Sequence, residues 1–170
     1  MSGHFFWCGR TGLLIALAAV AFAGCQTSEP PKAYDPLVAR FFIEAKSGDA
    51  AVPLRLPISG VTVAVNPKPV IVEYDILNAE VAQVELGRCL MLQLTAAAAR
   101  DLYRFSASNQ GRRLVLSLND APVGVRRIEQ AMADGVILVF VETPDAELLS
   151  LVERLKRTSA DIVATAAKNK

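Results

Sequence analysis

Hydrophobic and polar positions alternate in short runs from Val38 onward. Arg40-Phe41-Phe42-Ile43-Glu44, Gly60-Val61-Thr62-Val63-Ala64-Val65 and Val70-Ile71-Val72 read as strands, punctuated by Pro53, Pro57, Pro67 and Pro69. Residues 87–94 alternate more cleanly, which places Leu90, Leu92 and Leu94 toward a core and Cys89, Met91 and Gln93 on the other face. At Thr95 the period changes. Four alanines follow, and Ala98, Leu102 and Phe105 recur at helical spacing, which predicts an amphipathic helix with a threonine N-cap. Its stop is expected at Asn109-Gln110-Gly111, where a glycine can supply the left-handed backbone of a helix exit.

Residues 112–118 alternate again, with Leu114, Leu116 and Leu118 inward, and Asn119-Asp120 predicts a tight turn into Ala121-Pro122-Val123-Gly124-Val125. Pro122 cannot donate to a ladder, so this second strand is expected at an edge. Residues 136–141 are apolar on both faces and read as a central, doubly covered strand. Thr143-Pro144-Asp145 carries the cap, the proline and the acid of a helix start, and Leu148, Val152 and Leu155 form its buried stripe. Lys156 and Arg157 suit its end, with Ser159 opening a separate short helix. The order from Gly87 is strand, helix, strand, strand, strand, helix. It predicts an α+β domain, a mainly antiparallel sheet with helices packed on one face, whose other face is open to a peptide or protein partner.

The front of the chain is different. Residues 1–24 hold no acid, one firm positive charge at Arg10 and an uncharged stretch over 11–24, the layout of an export signal. That stretch is shorter than the roughly 18 apolar residues needed to cross about 30 Å of hydrocarbon. It ends Phe22-Ala23-Gly24-Cys25, which resembles a bacterial lipobox with Phe22 in place of the usual leucine. Small residues let a peptidase hold extended backbone, and only a thiol forms the thioether to lipid. The expectation is a lipoprotein signal peptide over 1–24 and a lipid-bearing Cys25, palmitate among its acyl chains, with ordinary secretion or an uncleaved anchor as the alternatives. Residues 25–36 include Pro30, Pro31 and Pro36 and read as a lipidated flexible tether reaching roughly 35 Å. Residues 37–157 form the domain, and 158–170 a short C-terminal helix and tail. Gln26 is not the aspartate that favours inner-membrane retention, so the protein is expected in the bacterial cell envelope, facing the periplasm, with outer-membrane attachment favoured.

Composition narrows function more than fold. The chain has 170 residues, 52% of them hydrophobic and 21% charged, which suits one compact domain. Its 18 Lys and Arg exceed its 17 Asp and Glu by one, and Arg10 leaves with the signal. The mature chain then has no long-range field for polyanions, so no nucleic-acid partner is expected. Cys8, the single histidine His4 and the single tryptophan Trp7 leave as well. With Cys25 acylated, Cys89 has no disulfide partner. Nothing remains of the usual histidine chemistry of bases and metal ligands, and no phosphate loop, metal cluster or nucleophile elbow appears. The protein is therefore expected to be no enzyme, with no cofactor and no small-molecule substrate.

The sharpest local feature is a set of four arginines. If Leu118 faces Ala121, then Arg113 faces Arg126 and Arg112 faces Arg127, and their guanidinium groups gather at one corner. Like charges across strands are unfavourable unless an acid or anion lies between them. Glu129 is the nearest acid in sequence. The corner is either solvated and salt-bridged or a contact for anionic lipid or an acidic partner segment. Cys89 reads as a packed structural thiol, and Glu73 with Asp75 as a solvated pair on one strand face.

Leu92-Gln93-Leu94-Thr95 with its helix, then Ser108-Asn109-Gln110-Gly111-Arg112-Arg113 running through Leu114-Val115-Leu116-Ser117-Leu118-Asn119-Asp120, resembles the first periplasmic head domain of SecD, a translocase subunit that assists protein export. The likeness spans about residues 40–155 and includes Asp75-Ile76 and Ala133-Asp134-Gly135 before an apolar strand. Its motif is structural, so it implies fold before function. SecD carries six transmembrane helices for proton-coupled motion that this chain lacks, so pulling would not be intrinsic to it. What the resemblance implies is a lipid-anchored binding module accessory to export, touching translocon subunits or emerging precursor proteins. The alternative is a structural or assembly lipoprotein that uses the same fold to bind one folded envelope partner.

Overall fold

The computed structural model describes residues 34–168. The expected signal peptide, the lipid attachment at Cys25 and most of the tether lie outside these residues. The strands are β1 (Ala39–Ile43), β2 (Val52–Arg55), β3 (Thr62–Val65), β4 (Ile76–Val84), β5 (Gly87–Leu94), β6 (Arg113–Leu118), β7 (Ala121–Arg127) and β8 (Val136–Val139), with helices α1 (Ala96–Ala107) and α2 (Asp145–Lys168). The class is α+β, and from β5 onward the element order follows the periodicity.

Three small antiparallel sheets replace the one expected: β1-β6-β7, β2-β3 and β4-β5-β8. Leucines from β5 and β6, Phe41 and Ile43 from β1, Ile137 and Val139 from β8, Ala98 and Leu102 from α1 and Val152 and Leu155 from α2 all belong to one buried cluster. Both larger sheets thus share a core with both helices. A second cluster of Val63, Val65 and Val115, with Phe42, Leu54 and Val125 packed against it, lies where the β2-β3 hairpin meets the first sheet. That hairpin covers the sheet face predicted to be open, which is why Val115 and Ser117 are as buried as the leucines between them. The open face survives only over β4-β5-β8, where Glu80, Met91 and Leu138 are cross-strand neighbours.

Local chemistry explains the boundaries. The Thr95 hydroxyl accepts from the Ala98 amide at 3.3 Å, so the predicted cap starts α1. Asn119 and Asp120 both have positive φ, 46° and 67°, the pair a tight primed hairpin turn demands. Pro122 sits on β7, an edge of its sheet.

Other expectations are corrected. Residues 70–72 form no strand; Ile71 makes a single bridge to Phe41 before the 3₁₀ turn Glu73–Asp75. β8 is an edge strand rather than a central one, because β7 meets it only at the bridge between Gly124 and Val141. α2 runs unbroken through 158, where a separate helix was expected. Thr158 satisfies its hydroxyl by donating back to the Arg154 carbonyl at 2.9 Å while accepting from the Leu37 amide at 3.0 Å, so it neither breaks nor caps. The last residues of the predicted tether are bonded to the domain: the Tyr34 hydroxyl donates to Asp161 at 2.6 Å, Arg154 donates to Asp35, and the Asn119 amide donates to the Pro36 carbonyl at 3.0 Å.

Candidate functional site

The four arginines do not converge. Leu118 does face Ala121 and Ser117 faces Pro122, but Leu116 faces Gly124, so Val123 is an extra residue on β7. This bulge shifts the register by one, placing Arg113 opposite Arg127 and Arg126 opposite Leu114. One cause is local and one tertiary: proline cannot donate at 122, and Gly124 must approach the chain at 139–141 closely.

Each arginine then has its own surroundings. Glu44, not Glu129, takes Arg113: its Oε2 accepts from the Arg113 backbone N–H and from Nε, each at 3.0 Å, while Nη2 donates to Oε1. Arg112 donates to the Glu44 carbonyl and to Asn109 Oδ1. Arg126 Nη1 donates to the Leu138 carbonyl at 2.9 Å, and its Nε is buried without a partner. Arg127 is exposed. Two arginines therefore lock the start of β6 to the end of β1, and two line the gap where β7 and β8 part. That gap is a groove of about 300 Å³ whose wall mixes Arg126, Arg127, Glu129 and Asp134 with Met132 and Leu138. Charges of both signs line it, which gives it no net attraction for an anion.

The Glu44 carboxyl is held below its usual range, first by the side-chain hydrogen bonds from Arg113. A depressed carboxylate stabilises the fold above its unfolded pKa, near 4.3, and the contribution is lost as pH falls through the lower folded value. Glu44→Gln is expected to lower stability at pH 7 by about 1 kcal/mol, the side chains being 26% and 38% exposed and so partly screened. Urea midpoints measured from pH 7 down to pH 3 check this. The variant should lose less stability than the parent along the acid limb.

Glu73 and Asp75 do not share a strand face. Arg40 Nε donates to Glu73 at 3.0 Å, and Asp75 accepts from the Val72 amide at 2.9 Å within the 3₁₀ turn. Cys89 is fully buried, and burial pushes its thiol pKa up against the opposing pull of Arg126. A thiol in that state is a poor nucleophile. Among the described residues no three His, Cys, Asp or Glu side chains are grouped to hold a metal, and no helix is long and apolar enough to cross a membrane.

A second open feature was absent from the sequence reading: β4. It is nine residues long, pairs with β5 on one side and has no ladder on the other. Two bonds establish which backbone groups are free. The Thr95 amide donates to the Asp75 carbonyl at 2.8 Å, and the Leu94 amide to the Gly135 carbonyl at 2.9 Å. Antiparallel bonding alternates along a strand. Asn78, Glu80 and Ala82 therefore bond β5, and the N–H and C=O of Ala79, Val81 and Gln83 point away from it; Ala79 is buried, so the open part of the edge is Val81 and Gln83. Glu80 is exposed, with only the Asn78 amide donating to it, at 3.0 Å.

No protein-family model matches the chain, and no curated protein sequence does. Two solved structures are similar in fold. One is SecDF, a membrane component that enhances protein export, with a TM-score of 0.55 at 18% identity over 71% of this chain and 62% of that one. The other is SecDF in its super-membrane-facing form, with a TM-score of 0.56 at 19% identity over 70% of this chain and 18% of that one. The likeness falls on the periplasmic region of SecDF. The chain thus spans less than two thirds of either, and at these identities what is shared is the fold.

Proposed function

We propose that this protein is a lipid-anchored binding module of the bacterial envelope, facing the periplasm, that holds polypeptide segments in support of protein export. The observation that carries the reading is the fold it shares with the SecDF periplasmic region, SecDF being a component that enhances export. The chemistry of the described residues is consistent with binding. Its buried thiol is a poor nucleophile, Glu44 and Glu73 are each held by an arginine, and its exposed features include a backbone edge and a mixed-charge groove suited to another chain. The anchor is Cys25, and the partners are precursor segments or translocon subunits.

In-cell photocrosslinking followed by mass spectrometry tests the reading. Probes at Gln93, exposed on the open face, and at Arg127 on the groove rim, with Lys168 as the control, should capture many secreted precursors or translocon subunits. One recurrent folded envelope protein would instead make this an assembly lipoprotein and end the export reading. An unmodified Cys25 in the mass spectrum of the mature N-terminus would remove the anchor.

A further inference from the structure

The strand edges of this domain are closed, with one exception. On β1, Phe41 exchanges backbone bonds with Ile71 and Val70 at 2.9 and 2.8 Å. Beyond its hairpin partner, β3 is tied to the chain after β1, where the Ala45 amide donates to Ala64 and the Asn66 amide to Ile43. β2 has four residues and contains Pro53. β7 carries Pro122 and a bulge, and the gap between it and β8 is spanned by the Gly124–Val141 bridge and the Arg126 guanidinium on Leu138. Proline, shortness, bulges and covering bonds are the devices by which sheets avoid adding strands.

β4 has little of this over its second half; α2 packs against the strand, and Ala79 in its first half is buried. It is the longest strand, with no proline, no lysine and no arginine, and its irregularity lies at one end, between Ile76 and Asn78. An exposed leucine flanks each end of the free ladder, Leu77 at 52% and Leu86 at 86%. The charges along it are acidic: Glu80 midway and Glu85 at the turn, neither in an ion pair among the described residues.

Resting on the binding reading above, we propose that the free edge of β4 takes up an extended polypeptide segment as an added antiparallel or parallel strand, one with a basic residue facing Glu80. The outward N–H and C=O groups of Val81 and Gln83 supply sequence-independent affinity, as in other strand additions. Glu80 supplies the preference for a cation, and the two leucines give apolar residues at the segment's ends a surface to cover. Two other occupants fit less well. A second copy pairing antiparallel through the middle of β4 sets the two Glu80 side chains directly or diagonally opposite each other, which is repulsive. The chain's own N-terminal stretch carries Pro30 and Pro31, which have no N–H to give.

The probe is a fluorescent nine-residue peptide alternating valine and threonine with a central lysine, titrated into the full chain in detergent and followed by anisotropy and amide exchange. Binding should slow exchange at Val81 and Gln83. It should weaken about tenfold or more for Glu80→Lys, which reverses the charge and guards the edge, and for a peptide N-methylated at alternate residues, whereas Glu147→Lys on α2 should bind as the parent does. Gln83→Pro, which deletes one outward N–H at an exposed edge position, is a second variant expected to fold and to bind more weakly. Equal binding of the N-methylated peptide, or no protection at those amides, overturns the proposal. So does a dimer in sedimentation that Glu80→Lys dissolves, since a second copy would then own the edge. Crosslinking separates this result from the broader reading. Precursors captured at Gln93 but never by a probe at Asn78 would sink the edge alone, while peptide binding at β4 with no precursor captured at any position would sink the export reading.

Discussion

Phe41→Ala is expected to lower the stability of the domain by about 3–5 kcal/mol, the range for truncating a buried aromatic. Phe41 is fully buried in the main cluster, and its register partner Leu116 is equally buried. The cost belongs at the upper part of that range because the site cannot collapse. The Phe41 amide donates to the Ile71 carbonyl and its carbonyl accepts from the Val70 amide, while β6 flanks the other side. Backbone held on both sides does not move in to fill a void, and a cavity that stays open adds its own penalty to the lost transfer energy. A urea titration should show a lower midpoint with an unchanged slope. Phe41→Leu, which keeps most of the volume, should cost far less. A loss below about 1 kcal/mol for the alanine variant would mean that β1 is not locked as described.

Gly124→Ala is expected to cost about 1–3 kcal/mol through overpacking, with the damage concentrated at the junction of the two larger sheets. A methyl built there would lie 2.5 Å from the Phe140 carbonyl oxygen, 3.1 Å from Val139 Cγ2 and 3.2 Å from Val141 Cγ1. The side-chain atoms can yield, but the carbonyl belongs to backbone held by the Glu142 amide donating to the Val123 carbonyl at 2.6 Å. Relief therefore requires β7 and β8 to part. Amide exchange at Glu142 should accelerate more than exchange in β6, a pattern that a uniformly weakened core would not give. Gly111→Ala makes the comparison. It meets open space but sits at φ 82°, so it should cost only the left-handed backbone penalty of about 1 kcal/mol and leave the junction intact.

Much of the second half of the domain could be read from its residues, because there each element carries its own punctuation. Thr95 caps α1, Asn119-Asp120 makes the hairpin and Pro144 opens α2, and between them the leucines keep a strict period. β4 lacked such marks. Ile76-Leu77-Asn78-Ala79-Glu80-Val81-Ala82-Gln83-Val84 has small alanines on both faces and a bulge at its start, so neither alternation nor a helical stripe emerges. The arginine corner failed for a different reason. The bulge at Val123 depends on how closely Gly124 must approach a strand far along the chain, and the acid that receives Arg113 comes from the end of β1, both of them tertiary facts. α2 was cut short in the reading because Thr158 and Ser159 resemble a helix boundary. Both are buried, Thr158 accepting from the Leu37 amide, and they continue the helix.

The bonds at the domain's entry also bear on how a mechanical load would travel. A pull on the chain before Tyr34 does not reach β1 first. Tyr34 and Asp35 pass it to α2 through Asp161 and Arg154, and Pro36 and Val38 pass it to the β6-β7 turn through Asn119, whose side chain bonds both. Force is thereby shared between a helix and a hairpin before the Phe41 ladder bears any of it. Under such a load the domain would shed these outlying bonds first and keep its core.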